Sequence, residues 1–305
     1  MAETVNESWK KSPGMFASLL APPTLFLFAF LLAPLFVVWT YSFGHNEGLT
    51  EITVDGTFAN YAHALNPLYL SILIKSFAFA AFTTFICLAA GFPIALAITF
   101  AKAKTKSWLL LLIMLPFWTN LLIRTYALMA LLRTQGYVNG FLHIVWNGIA
   151  GVLHLVHGPA LPAFQPLDLL YNNFAVVLGL VYVQLPFMVL PLYSALDRLD
   201  RSLLEASLDL GAGHLRTMVQ VVLPLAMPGV ASGILVTLIP SVGAFLTPDL
   251  LGGVDSQMIA NVIERQFKAA NDWPFGAAIS FLLMYVTFVA IALQSVFAPK
   301  KEARS

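Results

Sequence analysis

Two ionisable side chains, Arg124 and Asp249, stand inside or at the edge of long apolar stretches of this 305-residue chain. A charge in an apolar layer is costly, so it is held there by a partner or by a function. Arg124 follows Asn120 by one helical turn. It reads as a pathway or gating residue, as half of an ion pair with a carboxylate such as Asp249, or as a side chain snorkelling to an interface. Asp249 follows Pro240, Gly243 and Pro248. Breakers of this kind are tolerated in a membrane where backbone lines a cavity or packs in protein, which makes Pro240–Gly253 the candidate pathway wall. There Asp249 reads either as a lure for a cation or as a helix cap at the surface. Trp118, Asn120, Tyr126, Tyr182 and Phe245 complete the candidate pathway, where aromatic faces replace hydration of a cation. The other aromatics, among 24 Phe, 9 Tyr and 6 Trp, read mainly as lipid-facing or belt residues.

Catalytic and metal constellations are missing from the pattern. There is no GxxxxGK[ST] phosphate loop and no His-Glu-x-x-His. His143, His154 and His157 fall within one amphipathic stretch and read as polar-face residues rather than ligands. Cys87 is the single cysteine, so neither an internal disulfide nor a cysteine-pair metal site is expected.

The elements that must position these residues are membrane helices. Of the chain, 59% is hydrophobic and 10% charged, against about 25% charged in a soluble domain. The net charge of +1 says little about nucleic acid, and no nucleic-acid partner is expected. Six stretches reach the roughly 20 apolar residues a span needs: Phe16–Tyr41, Ile72–Phe100, Trp108–Leu132, Phe174–Leu196, Pro228–Leu251 and Phe275–Phe297. Phe16–Tyr41 exceeds the length of a signal-peptide core and lacks a cleavage site, so it reads as an uncleaved first span. With the N-terminus inside, the inner segments carry Lys10, Lys11, Lys102, Lys104, Lys106, Arg198, Arg201, Arg216, Lys300, Lys301 and Arg304. The outer ends and loops carry Lys75, Arg133, Arg265 and Lys268, an imbalance that puts both termini in the cytoplasm. Val138–His157 has apolar residues at Val138, Phe141, Leu142, Val145, Trp146, Ile149, Val152, Leu153 and Val156. Asn139, His143, Asn147, Gly151 and His154 lie largely away from that stripe, so it reads as an outer amphipathic helix and not a seventh span. The expected fold is all-α: a cytoplasmic segment 1–15, one membrane domain 16–298 and a cytoplasmic tail 299–305.

Between the fourth and fifth spans, 197–224 has the composition of a helix–turn–helix knob. Ser202 and Glu205 form an S-x-x-E capping box. Leu203, Leu204, Ser207 and Leu208 fall on one side, Gly211 permits a sharp turn, and Pro224 is expected to break or kink the second limb. The spacing Glu205-Ala206-Ser207, three residues, Gly211, nine residues, Val221, one residue, Leu223-Pro224 resembles the Glu-Ala-Ala loop of binding-protein-dependent ABC importer permeases, with Ser207 in place of the second alanine. Pro116–Asn120 with Leu122-Ile123-Arg124, Gln135-Gly136-Tyr137, Leu185–Met188 with Pro191–Tyr193, Asp249–Gly253 and Asp272–Ala278 resemble spermidine/putrescine permeases in particular. The resemblance implies a type I importer permease fold in the bacterial inner membrane. It implies that Glu205, Ala206, Ser207, Gly211, Leu223 and Pro224 couple to a pair of ATP-binding subunits, which hold ATP and Mg, this chain holding no cofactor. It further implies a second related permease, an extracytoplasmic substrate-binding protein and a polyamine cargo. Permeases for iron, thiamine or phosphonates share the loop and stay open as alternatives. A passive channel would leave the loop unexplained.

Overall fold

The computed structural model describes residues 13–48, 51–155 and 162–297. In chain order the helices are α1 (Pro13–Leu27), α2 (Ala33–Tyr41), α3 (Ala59–Ala64), α4 (Pro67–Phe100), α5 (Ala103–Met114), α6 (Leu121–Leu132), α7 (Tyr137–Leu155), α8 (Asn173–Leu196), α9 (Arg201–Asp209), α10 (His214–Thr217), α11 (Leu223–Val242), α12 (Leu246–Leu251), α13 (Ile259–Lys268) and α14 (Trp273–Phe297). Strands β1 (Gly44–Glu47) and β2 (Glu51–Val54) form an antiparallel hairpin that pairs Gly44 with Val54 and Glu47 with Glu51. Five helices among the described residues are long and apolar enough to cross a membrane. The bent pair Ala103–Trp118 and Leu121–Leu153 makes a sixth if it counts as one broken span.

The described residues fall into two compact units. In the first, residues 13–66 and Ile263–Val289, α1 and α2 are joined by a π-helical turn at Phe28–Leu32 into one apolar rod with no buried residue along its apolar window. The Trp39 indole donates to the Tyr285 hydroxyl at 2.9 Å. The Asn60 amide donates to the carbonyls of Ser42 and Gly44 and so fixes the chain where it leaves α2 for the hairpin.

The second unit, Pro67–Val262 and 290–297, is built on α4, α8 and α11. Ala95, Ile98, Met188, Val189, Leu192, Val222 and Ala226 are buried together at its centre. Helices in lipid gain little from hydrophobic burial against one another, so close backbone approach at small residues must hold them. At Gly229 an added Cβ would lie 2.4 Å from Ala195 Cβ and 2.9 Å from the Pro191 carbonyl oxygen; at Gly233 it would lie 2.7 Å from Met188 Sδ. These two glycines let α11 lie directly on α8.

Four expectations are corrected. The third stretch is not one helix: α5 runs into a 3₁₀ turn at Leu115–Trp118, the chain becomes extended at Thr119 and Asn120, and α6 leaves at 96°. Pro116 cannot donate to the helix ladder, and Asn120 starts a fresh helix by accepting from the Leu122 amide at 2.8 Å. The fifth stretch starts earlier and ends sooner than its composition suggests. The helix is continuous from His214 to Val242, stops at Gly243, and leaves α12 as a separate short helix. Pro224 does not break it, because a π-helical turn at Met218–Val222 directly precedes it and already loosens the hydrogen-bond ladder where the ring would clash. Finally, Asn139 is not on the exposed polar face of α7, where His143 and Asn147 stand exposed and bond each other at 3.2 Å. Asn139 is buried, its carbonyl oxygen accepts from the Leu167 amide and its amide donates to the Leu167 carbonyl, both at 2.9 Å. This pins the strap 162–167 against α7, and the Trp146 indole adds a bond to the Pro162 carbonyl. Ile144 is exposed. Val156 and His157 lie outside the described residues.

Gly229→Ala should force α8 and α11 apart and lower the stability of the detergent-purified chain by about 1–3 kcal/mol. Gly140→Ala, on α7 with nothing within 4 Å of the added methyl, should be neutral or raise it by about 1 kcal/mol through helix propensity. Thermal midpoints of the two variants would show the contrast.

Candidate functional site

The knob is assembled from local rules. Helix α9 is capped by Asp200, whose carboxylate accepts from the Ser202 amide at 3.0 Å. That bond holds the Asp200 carboxyl below the usual carboxylate range. The expected Ser202–Glu205 box is therefore not formed: the cap lies two residues earlier, Ser202 is inside the first turn, and Glu205 stands exposed further along α9. The helix ends in a Schellman turn. The Ala212 amide bonds the Ser207 carbonyl at 3.1 Å and the Gly211 amide bonds the Leu208 carbonyl at 2.9 Å. Gly211 has φ +82°, the left-handed conformation that its position demands, in open space.

Ser207, the departure from the Glu-Ala-Ala pattern, bonds the hydroxyl of buried Thr217 at 3.0 Å and ties α9 to α10. Leu204 and Met218 turn inward and pack on the α4–α8–α11 core. The outward face carries Leu203, Leu208, Leu210 and Leu215, with Leu210 at 89% and Leu215 at 84% exposure. The four residues expected on one side are thus split, Leu203 and Leu208 outward, Leu204 and Ser207 inward. Ala206 is exposed on the knob, whereas Leu223 and Pro224 lie beyond it at the start of α11.

The candidate pathway residues lie on adjoining elements of the same unit. Helices α6, α8 and α12 meet around Leu132, Ala175 and Leu251, with Leu128, Met129 and Leu178 packed alongside. Tyr126 on α6, Tyr182 on α8, and Phe245 and Asp249 at α12 are all exposed in the single chain, as is Trp118 at the break between α5 and α6. Asn120 is also exposed, but its side-chain oxygen serves the α6 cap. The ion pair between Arg124 and Asp249 does not form. Arg124 has no ion-pair partner among the described residues, and its Nε and Nη1 are buried without a hydrogen bond. Asp249 is in the first turn of α12 and caps nothing, since Phe245 is the N-cap residue and gives no side-chain bond. No group of three or more His, Cys, Asp or Glu suited to a metal occurs among the described residues.

Sequence reasoning missed Asn261. Beyond the interruption at Gly243–Phe245, the Phe245 carbonyl accepts from the Asp249 amide at 2.9 Å as α12 begins. The Asn261 amide donates to the Phe245 carbonyl at 2.8 Å, and its side-chain oxygen accepts from the Met258 amide at 3.1 Å. Asn261 is 2% exposed. The signal available was a lone asparagine beside Ile259, Val262 and Ile263. Ser76 similarly accepts from the Ile259 amide at 2.8 Å. Asn261 thus holds the start of α12, and Ser76 the start of α13.

With this geometry in place, comparison with known proteins is informative. The sequence matches the family described as "Binding-protein-dependent transport system inner membrane component" over residues 14–303. It is 40% identical over 262 residues to the spermidine/putrescine transport system permease protein PotB of Salmonella typhimurium (strain SL1344), covering 86% of this chain and 85% of that one. The fold resembles a chain in the crystal structure of a bacterial ABC transporter involved in the import of the acidic polysaccharide alginate, with TM-score 0.67, 14% identity, and coverage of 97% of this chain and 100% of that one. A second structure, of a bacterial alginate ABC transporter in complex with an alginate-pentasaccharide-bound periplasmic protein, gives TM-score 0.65 at 13% identity over 94% and 95%.

Asn261→Leu would leave the Met258 amide unpaired, while the Phe245 carbonyl keeps its bond from the Asp249 amide, and should cost about 1–3 kcal/mol. Asn261→Asp, which keeps the acceptor for the Met258 amide, should cost less. Chemical denaturation of the purified chain in mild detergent would rank the two.

Proposed function

Since this chain belongs to the family of binding-protein-dependent transport system inner membrane components, we propose that it forms half of the translocation pathway of an ATP-driven polyamine importer. The observation that carries the transport reading is the knob: a capped, glycine-turned helix pair seated on the helical core with its leucines turned outward. An amphipathic helix of this kind suits a groove in a partner. The partners are a pair of ATP-binding subunits holding ATP and Mg, a second related permease, and an extracytoplasmic binding protein. The lysine and arginine imbalance supports a cytoplasmic knob and cytoplasmic termini. ATP binding then closes the ATPase pair, moves the knob and switches the pathway from inward-facing to outward-facing.

The polyamine reading is supported by the 40% identity to a spermidine/putrescine permease and by the wall chemistry. Exposed Asp249 is a carboxylate for a polyammonium ion, and Trp118, Tyr126, Tyr182 and Phe245 offer ring faces that replace its hydration. Arg124 would repel such a cargo, so its place is off the path. A related permease for iron, thiamine or a phosphonate is the alternative, and competition by those solutes separates it.

Reconstituted with its partners in liposomes, the chain should take up radiolabelled putrescine or spermidine with ATP. Gly211→Leu should lower uptake and substrate-stimulated ATP hydrolysis together by about 5–30-fold, as a left-handed strain of about 1–2 kcal/mol allows, leaving capture by the binding protein unchanged. Parent-like coupling in that variant would remove the knob from the mechanism. Asp249→Asn should depress uptake while the complex still assembles. Unchanged uptake would take Asp249 off the pathway.

A further inference from the structure

Asp197 is the residue that closes α8, three positions before the Asp200 cap of the knob. A carboxylate at a helix C-terminus is opposed by the helix dipole, so its presence there calls for a compensating cation. Lys106 of α5 supplies one: its Nζ meets Asp197 Oδ1 at 2.5 Å. The Tyr193 hydroxyl, one turn back on α8, donates to Oδ2 at 3.1 Å, and the Lys106 ammonium stands 5.0 Å above the Tyr193 ring. The side chains of Lys106 and Asp197 are 25% and 39% exposed, and pairs this wet contribute little to stability. What the cluster fixes is position. It fastens the root of the knob to α5, the helix that ends in the 3₁₀ turn and the 96° break at Thr119–Asn120.

Resting on the reading of the knob as the ATPase contact, we propose that Lys106, Asp197 and Tyr193 are positioning residues that carry the knob's movement into α5 and so to the broken third span. The knob has an apolar hold on the core through Leu199, Leu204 and Met218, and α5 touches that same core through Leu109, Leu110 and Ile113. Apolar contacts of this kind slide with little directional preference, whereas a charge-assisted bond with a second donor on the same carboxylate fixes a direction. Displacement of the knob therefore reaches α5 at Lys106. The extended residues Thr119 and Asn120 form the joint at which α5 turns against α6, next to exposed Trp118.

The test uses the complete importer in liposomes and reads uptake per ATP hydrolysed. Lys106→Glu and Asp197→Lys should each lower that ratio by about five- to tenfold, and the double exchange should restore it to within about twofold, as coupling in a close charge pair requires. Lys102 and Lys104 keep the membrane orientation in every variant. Tyr193→Phe, which retains the ring and loses the bond to Oδ2, should show a smaller loss. Lys106→Gln gives the same readout should a charge reversal fail to assemble. The thermal midpoint of the complex should stay near the parent's throughout. Gly211→Leu is measured alongside. If it uncouples while the Lys106 and Asp197 variants keep the parent ratio, the link is wrong and the knob reading stands. If Gly211→Leu also couples normally, the knob reading itself falls. A double exchange that recovers assembly without recovering the ratio reduces the cluster to a structural tie and overturns the proposal.

Discussion

A backbone amide or carbonyl inside a bilayer has no water to bond, so each interruption of a helix must be met by another group of the protein. Asparagines meet several of the interruptions in this chain. Asn120 accepts from Leu122 where α6 restarts, Asn172 accepts from Ala175 where α8 begins, and Asn261 donates to the Phe245 carbonyl where α11 gives way to α12. Asn139 performs the same task for the strap at Leu167. An asparagine side chain both donates and accepts, like the peptide group it replaces. These substitutions let the chain carry irregular backbone beside exposed Trp118, Phe245 and Asp249, while α4, α8 and α11 stay regular and closely packed.

The contrast between regular core and interrupted wall suits transport. A transporter needs part of its structure to hold shape and another part to have two arrangements. The glycine-mediated contact of α11 on α8 belongs to the first part. The two-residue break at Thr119–Asn120 and the separate α12 are the interrupted part. The knob lies between them: its inward leucine and methionine join the core, and its outward leucines are left for a partner. Ser207 shows how a departure from a motif can be read physically, since its hydroxyl makes a bond to Thr217 that alanine could not make.

Fold and cargo are separate questions here. The chain shares its fold with parts of transporters whose cargo is an acidic polysaccharide, whereas the relative at 40% identity is a permease for cationic amines. The shared fold therefore does not by itself decide the cargo.

Composition and apolar run length were enough to locate the long apolar helices, and residue spacing the knob, because long apolar runs and fixed-spacing turns are local properties. Gly211 was legible for the same reason: a turn at that spacing requires a left-handed residue, and φ is +82°. Tertiary structure alone decided the rest. Asp200 and Ser202 are both good caps two residues apart, and only the folded chain selects between them. The 96° break, the π-turn that admits Pro224 and the end of α11 at Val242 were hidden, because a uniformly apolar run carries no mark of where its hydrogen-bond ladder fails. The bond from Asn261 to Phe245, the tie from Lys106 to Asp197 and the missing pair between Arg124 and Asp249 join or separate residues distant in sequence. Such pairings depend on how helices pack, and in lipid that packing leaves almost no periodic signal in the residues themselves.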